Sequence, residues 1–284
     1  SGPSDVDHIG VPHGYVWYRA ELTQARAKKR KLMLPQCEDR ATLYVNGELV
    51  SVWGRGAGAS RAPIPVSLKK GVNVIVVLAD NLGRNVSPLR FGGPKGLFGH
   101  IYDTKKLRVS KPKLKFADSL DTRVVPRAMS HKIPQLEAET IRQVDFSITL
   151  AKVAPISVSF EGLEHHVAIL CNDRPVGLFI NEGINYGEVM LGAELKRGKN
   201  VLRVMLWGDV EPEALDAFKF HNLVENLTDG AKWSLRKWDL PEPSRALAAN
   251  GRPAWYATRF KYPQAAAEAH TAMFVEIAGS RKGQ

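Results

Sequence analysis

Ala41-Thr42-Leu43-Tyr44-Val45-Asn46-Gly47-Glu48-Leu49-Val50 is the stretch on which the fold turns. Apolar and β-branched residues run up to Asn46-Gly47 and resume beyond it, through Ser51-Val52-Trp53. Asn-Gly favours a tight hairpin because both residues tolerate positive φ. The same pattern returns at Val167-Ala168-Ile169-Leu170-Cys171-Asn172-Asp173-Arg174-Pro175-Val176. A second pair of segments also matches: Leu68-Lys69-Lys70-Gly71-Val72-Asn73-Val74-Ile75-Val76-Val77-Leu78 and Leu195-Lys196-Arg197-Gly198-Lys199-Asn200-Val201-Leu202-Arg203-Val204-Met205-Leu206. Asn46 and Asn73 are 27 residues apart, and Asn172 and Asn200 are 28 apart. Equal hairpins, near-equal spacing and equal second strands predict two copies of one β-sandwich. Asn46 is then equivalent to Asn172, and Val74 to Val201.

Outward from these hairpins, strand signals dominate. Tyr15-Val16-Trp17-Tyr18-Arg19-Ala20-Glu21-Leu22 alternates and is rich in aromatic and β-branched residues. Helical patterns are short: one around Leu136 to Val144, another from Glu211 to Phe220, where Pro212 suits a first helical turn. Pro253-Ala254-Trp255-Tyr256-Ala257-Thr258-Arg259-Phe260 echoes the Tyr15 strand, and Thr271 to Ile277 also reads as a strand. Trp17 lies 29 residues before Asn46, and the same offset from Trp255 reaches Gln284. A third copy is therefore expected to begin and to stop before its hairpin. The division this predicts is 12–107, a more divergent 108–232, and an incomplete 233–284.

Composition narrows the class. Hydrophobic residues at 44% and charged residues at 24% are those of folded chain rather than disordered chain. No apolar run approaches the ~20 residues that would span a bilayer. A formal charge of +11 favours contact with polyanions. The densest basic run, Arg26, Lys28, Lys29, Arg30 and Lys31, lies between two strand-like segments and reads as a solvated hairpin tip. Cys37 and Cys171 are the only cysteines, so they read as two free, partly buried thiols rather than a disulfide framework or thiolate metal site.

Several of these segments carry a resemblance. Tyr15 to Arg19, Asp39-Arg40-Ala41 leading into Val45-Asn46-Gly47, Asp80-Asn81-Leu82-Gly83-Arg84-Asn85 and Pro94-Lys95-Gly96-Leu97-Phe98-Gly99 follow one another in a fixed order. In that order they resemble the first jelly-roll domain after the barrel in family 35 β-galactosidases. Trp233 to Leu240, Pro253 to Tyr256 and Arg281 to Gln284 resemble the opening of that family's last jelly roll. Between about 108 and 232 the resemblance is weak. The resemblance implies an all-β fold of tandem jelly-roll sandwiches of the galactose-binding-domain-like kind, the last one incomplete.

The family's chemistry needs two glutamates on a (β/α)₈ barrel. Such a barrel takes ~250 residues of alternating strand and helix, and this sequence has no such alternation. Glu161, Glu164, Glu182 and Glu188 lie near turn signals and match no barrel motif. The chain by itself is expected to be non-catalytic, an accessory β-sandwich region of a larger glycoside hydrolase. The rival reading is a stand-alone carbohydrate-binding or adhesion protein of a phage or cell-surface assembly. A secreted or cell-surface setting suits both.

Sugar sites on β-sandwiches use an aromatic platform with polar groups beside it, placed on loops. Trp53 with Arg55, and Asn81 with Arg84, are the candidate carbohydrate-binding residues, although most tryptophans of such folds are packing residues. The implied partners are a β-galactoside-type glycan and the catalytic barrel or other remainder of the parent protein. Neither nucleic acid nor a membrane is an expected partner, and no cofactor is expected. His165-His166 does not read as a metal site, since neighbours on a strand point to opposite faces. Gly54-Arg55-Gly56-Ala57-Gly58-Ala59 lacks the Lys-Ser/Thr of a phosphate-binding loop and reads as an inter-strand loop. Asn85-Val86-Ser87 and Asn226-Leu227-Thr228 are glycosylation sequons.

Overall fold

A computed structural model of the chain describes residues 2–11, 14–81, 86–87, 90–91, 93–110, 112, 114–116, 141–181 and 185–238. The chain divides into two compact units, Ser1–Trp238 and Asp239–Gln284. The expected third copy at 254–260 and 271–277 falls outside the described residues, as do Arg84 and Asn85.

The first unit is built almost wholly of strands. In chain order they are β1 (Gly14–Gln24), β2 (Lys28–Met33), β3 (Cys37–Glu38), β4 (Arg40–Val45), β5 (Glu48–Gly54), β6 (Ile64–Leu68) and β7 (Gly71–Asn81). There follow β8 (Val86–Ser87), β9 (Arg90–Phe91), β10 (Gly96–Leu97), β11 (Tyr102–Lys106) and β12 (Leu114–Phe116). The second half supplies β13 (Ile141–Leu150), β14 (Ile156–Leu163), β15 (Val167–Cys171), β16 (Arg174–Phe179), β17 (Asn185–Leu191) and β18 (Gly198–Trp207). It ends with β19 (Lys219–Asn226) and β20 (Lys232–Lys237).

The two hairpins fold alike down to single hydrogen bonds. Val45 pairs with Glu48 and Cys171 with Arg174, so each loop has two residues. Positive φ at Asn46 (52°) and Gly47 (88°), and at Asn172 (49°) and Asp173 (64°), gives both turns the mirror-image twist that antiparallel strands need. The β-bulge also recurs, between Leu43 and Tyr44 in one copy and between Ile169 and Leu170 in the other.

A pair of asparagines clasps each hairpin to the next strand. Asn46 Nδ2 donates to Asn73 Oδ1 at 3.0 Å, and Asn172 Nδ2 to Asn200 Oδ1 at 2.8 Å. Val74 N–H donates to Asn46 Oδ1, and Val201 N–H to Asn172 Oδ1. Asn73 also accepts from Lys69 N–H and donates to the carbonyls of Lys69 and Gly71; Asn200 does the same with Lys196 and Gly198. Both Asn73 and Asn200 are 0% exposed, which is tolerable only because their amides are so fully bonded.

Sheet order extends the equivalence. The order β1-β7-β4-β5 in one sheet is matched by β13-β18-β15-β16 in another. The facing strands β11-β2-β6 are matched by β19-β14-β17, and these six form one continuous sheet because β11 and β19 pair antiparallel. The strands that follow β11 and β19 then cross over. β12 pairs with β13 in the second sandwich, and β20 pairs with β1 in the first. Each copy thus covers the sheet edge of the other, removing edges that would otherwise offer unpaired backbone. The Trp233 segment therefore belongs to the first sandwich's sheet, where Trp233 and Leu235 pack on its core.

Two cores result. One gathers Tyr18, Leu32, Leu43, Trp53 and Ile75; the other gathers Val144, Phe146, Phe160, Leu202 and Val204. In the second core Phe160 meets Phe179 edge-on at 5.1 Å and Phe146 lies 4.9 Å from Phe220, spacings that favour aromatic pairs.

Two local expectations need correction. Residues 141–144 of the expected Leu136–Val144 helix lie in β13, where burial alternates at Val144, Phe146, Ile148 and Leu150. Period two prevails there because a partner strand lies on each side. The basic run is likewise not a hairpin tip, since Lys28 to Lys31 form part of β2. Arg30 points inward, and its guanidinium meets Asp103 at 2.8 Å and Glu225 at 2.5 Å. The other short helix is present as a single 3-10 turn, Pro212–Ala217, with proline in its first turn. Among the described residues no helix is long and apolar enough to cross a membrane.

Candidate functional site

The first sandwich's sheet has one end at which the sequence-predicted residues collect. Arg40 lies opposite both Gly54 and Asp80, and Gly14 lies opposite Asn81. Trp53, Arg55 and Asn81 are therefore brought to the same end, while Arg84 is outside the described residues. Their exposure differs from what a sugar platform needs. Trp53 is 0% exposed and packs in the core, so its indole presents no face to solvent. Asn81 is buried as well. Arg55 remains accessible in part, with its Cζ stacked 3.7 Å above the Tyr186 ring.

The glycine-rich loop is an inter-strand turn, and its first glycine is structural. Gly54 has φ of 100°, and a Cβ there would stand 2.1 Å from the Asp39 carbonyl oxygen. The Arg40 guanidinium holds the rest of the turn by donating to the carbonyls of Arg55 and Ala57 at 2.7 and 2.9 Å. Two segments of the family resemblance also meet here. Lys95 Nζ lies 2.6 Å from Asp39 Oδ1, and both side chains are buried. Gly96 pairs with Glu38 and Leu97 with Cys37.

Beside this end lies an ion cluster that links the two sandwiches. Arg61 Nη1 binds Glu188 Oε2 at 2.7 Å, and its Nη2 binds Glu38 Oε1 at 2.5 Å. The Ser157 hydroxyl donates to Glu188 Oε1 at 2.6 Å. Arg61 and Glu188 are only 7% and 2% exposed at their side chains, whereas Glu38 reaches solvent at 26%. Burial outweighs Arg61 and Ser157 and pushes the Glu188 carboxyl up to about 7. Burial also raises the Cys37 thiol, with Glu38 adding to the effect, so Cys37 is not a nucleophile at neutral pH.

No sequence signal pointed to this cluster. Glu188 stands in β17 between the residues Gly187 and Val189, and the partner that makes its burial tolerable is 127 positions away. Chemically the cluster is one cation shared by two carboxylates, a lock between sandwiches rather than a pair flanking open space.

A pH dependence follows with a definite sign. An unfolded glutamate titrates near 4.5, while native Glu188 keeps its proton up to about 7. Between those values the native state binds more protons, so stability falls as pH rises through the window and levels off above it. Glu188→Gln should remove that part of the slope. Chemical denaturation of both proteins across the window checks this, and parallel curves would contradict it.

The two histidines serve backbone groups. His165 Nδ1 lies 3.1 Å from the Trp207 carbonyl, and His166 Nδ1 accepts from Asn181 N–H at 2.9 Å. Among the described residues no group of three or more His, Cys, Asp or Glu is placed to hold a metal ion. Cys37 and Cys171 are both free and buried.

Residues 3–108 match the family described as "Beta-galactosidase, first all-beta domain". No curated protein matches the chain. Among solved structures, a GH2 beta-galacturonidase of Eisenbergiella tayi is 12% identical, over 72% of this chain and 30% of that one, at a TM-score of 0.23. A beta-glucuronidase of Ruminococcus gnavus is 15% identical over 70% and 33%, at 0.24. An anti-sigma factor domain-containing protein is 11% identical over 82% and 77%, at 0.23. The chain spans about a third of the length of the two glycosidases.

Proposed function

We propose that this chain is the non-catalytic accessory region of a β-galactosidase-like glycoside hydrolase of family 35. The match of residues 3–108 to the first all-β domain of β-galactosidases carries the reading. The order of the Tyr15, Asp39, Asp80 and Pro94 segments supports family 35 in particular. The sandwiches brace a catalytic barrel supplied elsewhere in the parent protein. The shared six-stranded sheet and the exchanged strands suit that task, because they join the two sandwiches by backbone pairing. Galactoside contact falls to the loop end of the first sandwich, with the partly accessible Arg55 facing the sugar and the buried Trp53 and Asn81 supporting it.

The parent enzyme supplies the test. Its complete reading frame should encode a barrel, and its β-galactoside turnover should vanish when two barrel glutamates are replaced. Glu188→Gln in the same protein should leave turnover intact. A reading frame without a barrel overturns the proposal.

A further inference from the structure

Strands β2 and β11 touch at one end only. Their pairing among the described residues is confined to Met33 with Tyr102 and Leu32 with Asp103. On its other side β11 pairs with β19 from Tyr102 to Lys106, with a bulge between Asp103 and Thr104. The two strands splay, and a groove of about 980 Å³ opens between them. Lys28, Lys29 and Lys31 line one side and Lys105 and Lys106 the other, all five exposed. Arg30 closes the apex, where it binds both Asp103 and Glu225. Among the described lining residues the two carboxylates are thus both engaged by one arginine, and the five lysines have no further acidic counterpart. The local field is strong enough to be felt nearby: after burial, Lys106, Lys219 and Lys31 hold His221 below its ordinary pKa.

We propose that this groove binds an acidic polysaccharide bearing carboxylates at regular intervals along the chain. The proposal rests on the reading of the chain as part of a sugar-processing protein. Lysine ammonium groups serve both carboxylates and ring hydroxyls, and the exposed Ser67 adds a hydroxyl to the lining. Among the described residues the lining has no aromatic side chain, the stacking platform on which single-stranded nucleic acid depends. An acidic peptide would want apolar pockets for its side chains, and among the described residues Val66, Val224 and Pro65 are the apolar contributors.

The test measures binding of the 284-residue chain to size-defined polygalacturonate, to neutral β-galactan and to duplex DNA of matched charge. Polygalacturonate should bind most tightly, with affinity falling as salt is raised. Combining Lys29→Gln, Lys31→Gln, Lys105→Gln and Lys106→Gln should weaken it roughly 30-fold, from exposed ion pairs of modest individual strength. Removing the same charge elsewhere, with Lys69→Gln, Lys70→Gln, Lys196→Gln and Arg197→Gln, should change it about twofold. Equal losses in both variants, no polygalacturonate binding, or tighter binding of galactan or DNA would each overturn the proposal. Those outcomes leave the accessory-domain reading standing. Conversely, a parent without a barrel would remove that reading while leaving lysine-dependent binding measurable.

Discussion

Asn73→Ala should destabilise the protein by about 3 kcal/mol, and Asn200→Ala should do nearly the same in the other sandwich. Each asparagine is fully buried and makes four hydrogen bonds, three of them to backbone groups. Truncation leaves those turn backbone groups without their partners, at about 1–3 kcal/mol for a stranded polar group. For a chain of this size the loss corresponds to roughly 6–12 °C in the thermal midpoint. The pairing with Asn46 adds a sharper check. If the clasp acts as one unit, the double substitution Asn46→Ala/Asn73→Ala costs less than the sum of the two single changes. Additive losses, or a large effect in one sandwich only, would mean that the two clasps are alike in shape but not in energetic role.

The second large effect is expected at Arg61. Arg61→Met keeps the side chain's bulk but leaves Glu188 buried without a cation. Breaking a buried pair from one side costs about 3–5 kcal/mol, since the remaining charge is uncompensated. Glu188 can escape part of that cost by protonating, and losing Arg61 raises its pKa further. The destabilisation should therefore be smaller in acid than above pH about 7. Adding Glu188→Gln to Arg61→Met should recover much of the loss at neutral pH. Denaturation midpoints of the two variants at low and neutral pH decide this, and a pH-independent loss without recovery would point to a packing role for Arg61 instead.

What could be read from the sequence was local. Asn46-Gly47 and Asn172-Asp173 announce their turns because only a few residue types accept positive φ there. The spacing to Asn73 and Asn200 carried the repeat, and the structure adds the reason: those asparagines bond to the turn itself. The shared sheet was not legible. Whether the edge of β11 is met by solvent or by β19 depends on residues about 120 positions away, and nothing in Tyr102 to Lys106 specifies the partner. The exchange of β12 and β20 is hidden for the same reason. Trp53 misled because a tryptophan beside a glycine-rich loop looks the same in sequence whether its ring faces inward or outward. The lysine run misled differently: strand alternation sends Lys29 and Lys31 one way and Arg30 the other, and only Asp103 and Glu225 make the inward choice affordable.

The most direct test of the account is hydrolysis of a chromogenic β-galactoside by the pure chain, beside Glu38→Gln and Glu188→Gln. These two glutamates share Arg61, in the cluster that locks the two sandwiches together. That role predicts no turnover above buffer for any of the three proteins. Turnover by the parent chain that disappears in either variant would contradict it and make the lock an active site.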